Sequence, residues 1–494
     1  MAGPAADEGQ RGRAPRVPEA RRGGTEGVAG VTAGPDDELT FSAQPVLSVS
    51  GATVVTSLDP PSVWRANIVV LEDGRIGAVS RRDGRYARGE WIDGSGCLVI
   101  PGNVCAHHHL YSALARGMPY RLQPPSNFVE ILRRVWWRLD RALDPGSVWA
   151  SAISGAADAV LAGTTTIVDH HASPNAIEGR LDAIAGALSD VGARMVLCYE
   201  VTDRDGPELA AAGLEESRRH LKEDVGWGLI RGMVGAHASF TLSEETLAAC
   251  VELARSADVG IHIHVAEDEA DERDSLARFG QRVVERLADA GALTERSLLA
   301  HCVHVDEREI DLIRQSGAWV AHNARSNMNN RVGRAPVGAL GERVALGTDG
   351  IDGDMVAESK AAYRRAREDD PSIGPGWALA RLAAGAAFAG QVFGEPLLGR
   401  IERGAPADLV VLEYNPPTPI TAENLAAHWI FGLSARHVRD VVIGGKVVVR
   451  DRRLARVDEA DLRARAREAA ERLWARMDEI PEHPFEPRGG GQGA

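Results

Sequence analysis

The middle of the chain carries eight short apolar runs, separated by helical patterns, and most of them end in a histidine or a carboxylate. They are NVCAHHH, TTTIVDHH, RMVLCYE, GMVGAHASF, GIHIHVAED, LLAHCVH, WVAHNARSN and VALGTDG. Strands that alternate with helices form parallel βα units. Eight such units over residues 101–400 predict an α/β fold, a (β/α)8 TIM-type barrel. One insertion, PYRLQPPSNFVEILRRVWWRLDRALD, follows the first run.

Shorter β-type runs flank this region. Residues 44–100 hold VLSVSGATVVT, ANIVVLEDGRIGAVS and CLVIPG; residues 401–455 hold ADLVVLEY and HVRDVVIGGKVVV, with Gly444-Gly445 as a hairpin turn. Together they predict one small β-sandwich built from both ends of the chain. Residues 456–480 read as an amphipathic C-terminal helix. Residues 1–43, rich in Gly, Pro, Ala and charge without apolar period, are expected to be a disordered extension, and 481–494 a loose tail.

The formal net charge of -14 argues against nucleic acid or an anionic membrane as partner. The five cysteines are scattered, odd in number and never in a C-x-x-C pair, so they read as reduced thiols in a cytoplasmic protein. No apolar run is long enough to span a bilayer, and the N-terminus lacks a secretory pattern.

In a (β/α)8 barrel the C-terminal strand ends form the active-site rim. Side chains alternate along a strand, so His107 and His109 point one way and His108 the other. An H-x-H pair so placed can give two imidazoles to one metal, although it also fits buried structural histidines. His262 and His264 repeat the spacing, and either can reach the metal. His264 is the expected ligand, because Glu267 follows it by three residues and can move a proton above it; His262 is then its buried neighbour. Asp349 closes the eighth run. It fits a metal ligand that also takes a proton from water, and by itself would equally fit a turn or helix cap. Three imidazoles and a carboxylate with an open position suit one divalent ion, zinc or alternatively Fe(II), which lowers the pKa of water to roughly 7. His301 is placed to steady that water and His237 to touch substrate. Lysine occurs only at 222, 360 and 446, none at a strand end, which excludes a carboxylated-lysine dinuclear site and a Schiff base.

PGNVCAHHH, HVAE, LAHC, HNARSN and LGTDG, in that order, resemble the amidohydrolase superfamily, in its aminohydrolase and deaminase branch. Residues 135–144 with DHHASP, HNARSNMNN and LGTDGI are most similar to the SsnA aminohydrolase group. The resemblance covers about residues 46–477. It implies His107, His109, His264 and Asp349 as metal ligands, Glu267 as proton shuttle, His301 and Asp349 as groups that position water, and His237 against the substrate ring. The run TIVDHHASP departs from deaminases at large and marks His170 and His171 as pocket-lining; His170 and Glu200 are further candidate substrate contacts. Ala324 stands where relatives often have Pro, and Ser112 where 8-oxoguanine deaminases carry Gln. The resemblance also implies a purine-related heterocycle and a homodimer. The expected activity is release of ammonia from an amino-substituted N-heterocycle. Ring opening of a cyclic amide or amidine on the same metal is the alternative, and a catalytically silent metal-binding scaffold a more distant one.

Overall fold

The computed structural model describes residues 43–81, 89–222 and 228–489. All but the last residue of the expected N-terminal extension lies outside them, as do residues 490–494.

The eight apolar runs form eight parallel strands: Asn103–His108, Thr164–His171, Arg194–Val201, Val234–Ala238, Ile261–Val265, Leu298–His301, Trp319–His322 and Val344–Leu346. Each pairs with the next in order, and a short strand, Ile230–Gly232, pads the third. Both faces of a barrel strand are covered, which is why these runs are apolar almost throughout. Val168, Val196, Ile263, Leu298 and Ala321 are all buried. The first and eighth strands meet through a parallel bridge between His108 and Asp349. There the amides of Thr348 and Asp349 both donate to the carbonyl of His107, at 2.9 and 3.0 Å.

The flanking β segments make one mixed nine-stranded sheet. Leu98–Pro101 from the first segment pairs antiparallel with Leu409–Leu412 from the second, with Ile100 opposite Val410. The two segments share a core in which Val54, Ile68, Ile76 and Val99 meet Ile401, Leu409, Val411 and Val442. This is the architecture of a small sandwich assembled from both ends.

The insertion after the first strand folds as Phe128–Ile131, a π turn at Leu132–Trp136 and a helix at Trp137–Ala142. The C-terminal helix, Glu459–Glu479, starts on Asp458, whose carboxylate accepts from the amides of Ala460 and Asp461. Its buried residues Leu462, Ala469, Leu473 and Met477 face the helices Pro145–Leu161 and Trp137–Ala142.

The expectation of a loose tail from residue 481 is corrected over residues 481–489. His483 is 1% exposed. Its carbonyl accepts from the Arg133 amine and its ring packs on Trp137. Phe485 packs against Trp137 and Phe240, and the amide of Arg488 donates to Asp274. Two aromatic rings outweigh the Pro and Gly content, because each finds an apolar wall to cover.

Arg194, on the third barrel strand, forms a bidentate pair with Asp408 at 2.9 and 3.1 Å, and both side chains are buried. Asp408 also accepts from the amide of Gly444, so one carboxylate ties the barrel to the sheet. Asp408→Ala leaves a buried guanidinium without its anion and should destabilise the protein by about 3–5 kcal/mol. The check is the midpoint of urea unfolding, which should fall well below wild type.

Candidate active site

The C-terminal strand ends bring His107, His109, His264, His301 and Asp349 together. The Nε2 atoms of His109 and His264 are 3.2 Å apart. Oδ1 of Asp349 lies 3.0 Å from Nε2 of His109 and 3.5 Å from Nε2 of His107. The other ring nitrogens are committed elsewhere. Nδ1 of His109 donates to the carbonyl of His170 at 2.6 Å, and Nδ1 of His264 to the carbonyl of His237 at 2.7 Å. Nδ1 of His107 bonds Nε2 of His262 at 2.8 Å.

This arrangement fits a cation. A neutral imidazole that donates at Nδ1 offers only a lone pair at Nε2. Nε2 of His109, Nε2 of His264 and a carboxylate oxygen therefore face one another in a buried space; burial lowers His109, but the adjacent Asp349 carboxylate outweighs it and raises the ring to about 9, so a cation there takes the place of a proton on Nε2. Nε2 of His107 is buried with no hydrogen-bond partner. Burial holds His107 and His264 well below the ordinary histidine range, which keeps their lone pairs available. Burial also pushes Asp349 up, but the adjoining rings of His107 and His109 outweigh it and hold its carboxyl well below the usual range. Hydrogen bonds from the far ring nitrogens to carbonyls and neighbouring side chains are what orient metal-bound histidines.

Several of these groups reach the centre through unusual backbone. Ala266, His301 and Asp349 have φ of 45°, 74° and 54°, in the left-handed region that side chains disfavour. The turns aim the chain ends inward. Nδ1 of His301 bonds Oδ1 of Asn327 at 2.8 Å, and its Nε2 stands 3.5 Å from Oε2 of Glu267. Burial and the charge of Asp349 push Glu267 well above the ordinary carboxyl range, so it is suited to hold a proton. Asn330 donates to its Oε1 at 3.3 Å. The Ser326 hydroxyl donates to Asp349.

A cleft opens over this centre. His237 and Glu200 line it, together with His109, His264, Glu267 and Asp349. Nδ1 of His237 is 2.6 Å from the Thr241 hydroxyl, and burial depresses the ring to about 3.

His170 and His171 do not line the cleft, which corrects the reading of His170 as a substrate contact. His170 is fully buried one layer below. Its Nδ1 is held by Glu200 and its Nε2 by the carbonyls of Ala236 and His262. His171 points the other way, to the hydroxyl of Ser173. Sequence reasoning missed the aromatic walls: Tyr111, Phe128, Trp136, Trp137 and Phe240. The Trp136-Trp137 pair was the available signal, but in a regular helix neighbouring residues face different ways. The π turn at Leu132–Trp136 is what precedes Trp137 here.

The sequence profile of the Amidohydrolase family matches residues 98–448. The chain is 33% identical over 443 residues to a 5'-deoxyadenosine deaminase of Methanopyrus kandleri, covering 86% of this chain and 99% of that one. It is 32% identical to a 5-methylthioadenosine/S-adenosylhomocysteine deaminase of Desulforudis audaxviator, over 82% of this chain and 94% of the relative. Among solved structures it is similar to a zinc-bound adenosine deaminase of Xanthomonas campestris, with a TM-score of 0.76, 25% identity, and 88% and 99% of the two chains covered. The chain belongs to the amidohydrolase family, in its aminohydrolase branch.

His262 touches the metal-side histidine only through Nδ1 of His107, and its own Nδ1 is 3.6 Å from the Cys198 thiol. His262→Asn should therefore weaken divalent-metal affinity by about 10- to 100-fold while leaving the fold intact. Competition with a chromogenic chelator measures that loss, with circular dichroism as the control.

Proposed function

We propose that the chain is a metal-dependent deaminase that releases ammonia from an amino-substituted, purine-related N-heterocycle. The observation that carries the reading is the convergence of the buried Nε2 atoms of His109 and His264 beside Asp349, with the proton-holding Glu267 near them. His107, His109, His264 and Asp349 would hold one divalent ion, zinc by analogy with the zinc-bound relative. When bound, the ion makes water acidic enough to react near neutral pH.

The chain's own groups do the rest. Asp349 accepts the proton of the attacking water, and Nε2 of His301 fixes its direction. The water oxygen adds to the ring carbon that bears the amine. Glu267 gives its proton to the adjacent ring nitrogen. It then carries the proton from Asp349's side to the amine, and ammonia leaves as the ring carbonyl forms. The aromatic walls hold the heterocycle flat and exclude water. Adenine nucleosides are the first substrates to test, because the relatives are named for them. A cytoplasmic setting accords with five buried free cysteines, and the family resemblance adds a role in purine breakdown and a homodimer. Among the described residues no helix is long and apolar enough to cross a membrane.

The test is ammonia release by zinc-loaded protein from a panel of aminopurines, adenine nucleosides and aminopyrimidines. Mass spectrometry of the products separates deamination from ring opening, which leaves the nitrogen in the product. Glu267→Gln should lower kcat by about 100- to 10,000-fold with full metal content. Asp349→Asn should lose both activity and metal. If Glu267→Gln strips the metal, the carboxylate is a ligand and its role here is wrong.

A further inference from the structure

Glu200, the penultimate residue of the third barrel strand, lines the cleft, yet it is only 3% exposed. Arg204 donates to its Oε1 at 2.7 Å and Nδ1 of His170 donates to its Oε2 at 3.1 Å. Arg204 is itself fixed by Asp140 and Asp205, and Asp205 also meets Arg141 and His483 of the docked C-terminal segment. Burial pushes Glu200 up, but His237, Arg204 and His170 outweigh it and hold the group well below the ordinary carboxyl range.

A carboxylate has about four acceptor positions, and Arg204 and His170 fill two. The rest are left to a ligand in the cleft that Glu200 lines. Nε2 of His237, 3.9 Å from Oε1, is too far to fill one. Asp268 and Asp349 also line the cleft, beside the proton-holding Glu267 and Asp271, which burial pushes up to about 7, and no lysine or arginine lines it among the described residues. Acceptor atoms of Glu200, His237 and His264 lie within 4.8 Å of one another. Glu200 therefore meets the ring that undergoes attack rather than a substituent trailing to the mouth.

We infer that Glu200 is the specificity-determining acceptor of the site, and that the preferred substrate is a compact, uncharged or cationic aminoheterocycle that turns a ring N–H, as in a lactam or amidine, toward it. The inference rests on the deaminase reading and narrows its substrate class. An adenine ring substituted at N9 presents only lone pairs at its ring nitrogens, so its only N–H donor is the amine that departs. Substrates with a carboxylate or phosphate tail meet Asp268 at the cleft wall and no lysine or arginine among the described residues to receive them. A buried acceptor left without a donor penalises the wrong ligand more than a good contact rewards the right one.

The experiment measures binding directly, on zinc-loaded Glu267→Gln protein, by quenching of the fluorescence of Trp136 and Trp137. Guanine is compared with 1-methylguanine, isocytosine with 3-methylisocytosine, and both pairs with 9-methyladenine. Each ring that keeps its N–H should bind roughly tenfold to a hundredfold tighter than its methylated partner and than 9-methyladenine. Adding Glu200→Gln should shrink that preference to within about threefold. Glu200→Asp keeps the charge for Arg204 but withdraws the acceptor, and should also reduce it, which protects the test if the Gln variant folds poorly. A preference that survives both substitutions is steric and overturns the inference. So does 9-methyladenine binding as tightly as the N–H rings, or no N–H ring binding at millimolar concentration. Equal ammonia release from 9-methyladenine and the N–H rings would overturn this inference and leave the deaminase reading standing. Selective binding with no ammonia from any amine would do the reverse.

Discussion

The site depends on how the barrel closes. The carbonyl of His107 takes two amides from the eighth strand end, those of Thr348 and Asp349, and the amide of His109 faces the carbonyl of Asp349 at 3.4 Å. These bonds place the H-x-H pair beside the aspartate, although 240 residues of chain separate His109 from Asp349. A barrel that closed one residue out of register would turn His108 inward and the pair outward, since alternate residues face opposite ways. Thr348 guards against this slip. Its hydroxyl bonds Nδ1 of His108 at 2.8 Å and contacts the Cys105 thiol at 3.2 Å, holding the odd histidine on the outer face.

Beneath the donor set lies a layer of polar groups with no outlet to water. His262, His170 and Cys198 are all buried there, and His262 links Cys198 to His107. Unpaired, these groups would cost several kcal/mol. Paired, they fix ring orientation from below while the cleft is left to the aromatic walls. His170 joins the two halves of the site, since it supports Glu200 through Nδ1 and its own carbonyl holds His109.

How much of this could be read from the sequence follows from which contacts are local. The period of two along a strand exposes which histidines share a face, so the convergence of His107, His109, His264 and Asp349 was legible from strand ends alone. Depth within the barrel was not. His170 pairs with Cys198, two residues short of Glu200 in the next strand, and that register puts its ring under the centre. Strand offsets come from closure and leave no mark in one strand's own residues. The cleft walls were hidden for another reason. Trp136 and Trp137 take their places in an insertion whose helix passes through a π turn, and the tail behind them reads as linker by composition. Its docking rests on two rings, His483 and Phe485, whose partners lie some 350 residues earlier, at Trp137.

The left-handed residues at the strand ends show what this geometry costs. Each non-glycine residue held at positive φ carries about 1–3 kcal/mol of strain. Three of them, Ala266, His301 and Asp349, surround one centre. The strain is held by backbone bonds that the turns themselves create. The amide of Cys302 donates to the carbonyl of Val265, and those of Val303 and His304 donate to that of Ala266. A relaxed, extended continuation of the fifth strand would carry Glu267 up the barrel wall, on the same face as Val265 and away from His301. The turn at Ala266 instead sets it 3.5 Å from the Nε2 of His301, which is buried and otherwise unbonded. Glu267 is therefore positioned by backbone strain in its own turn, while the H-x-H pair and Asp349 are positioned by barrel closure, and they meet because both act at the same ends of the barrel strands.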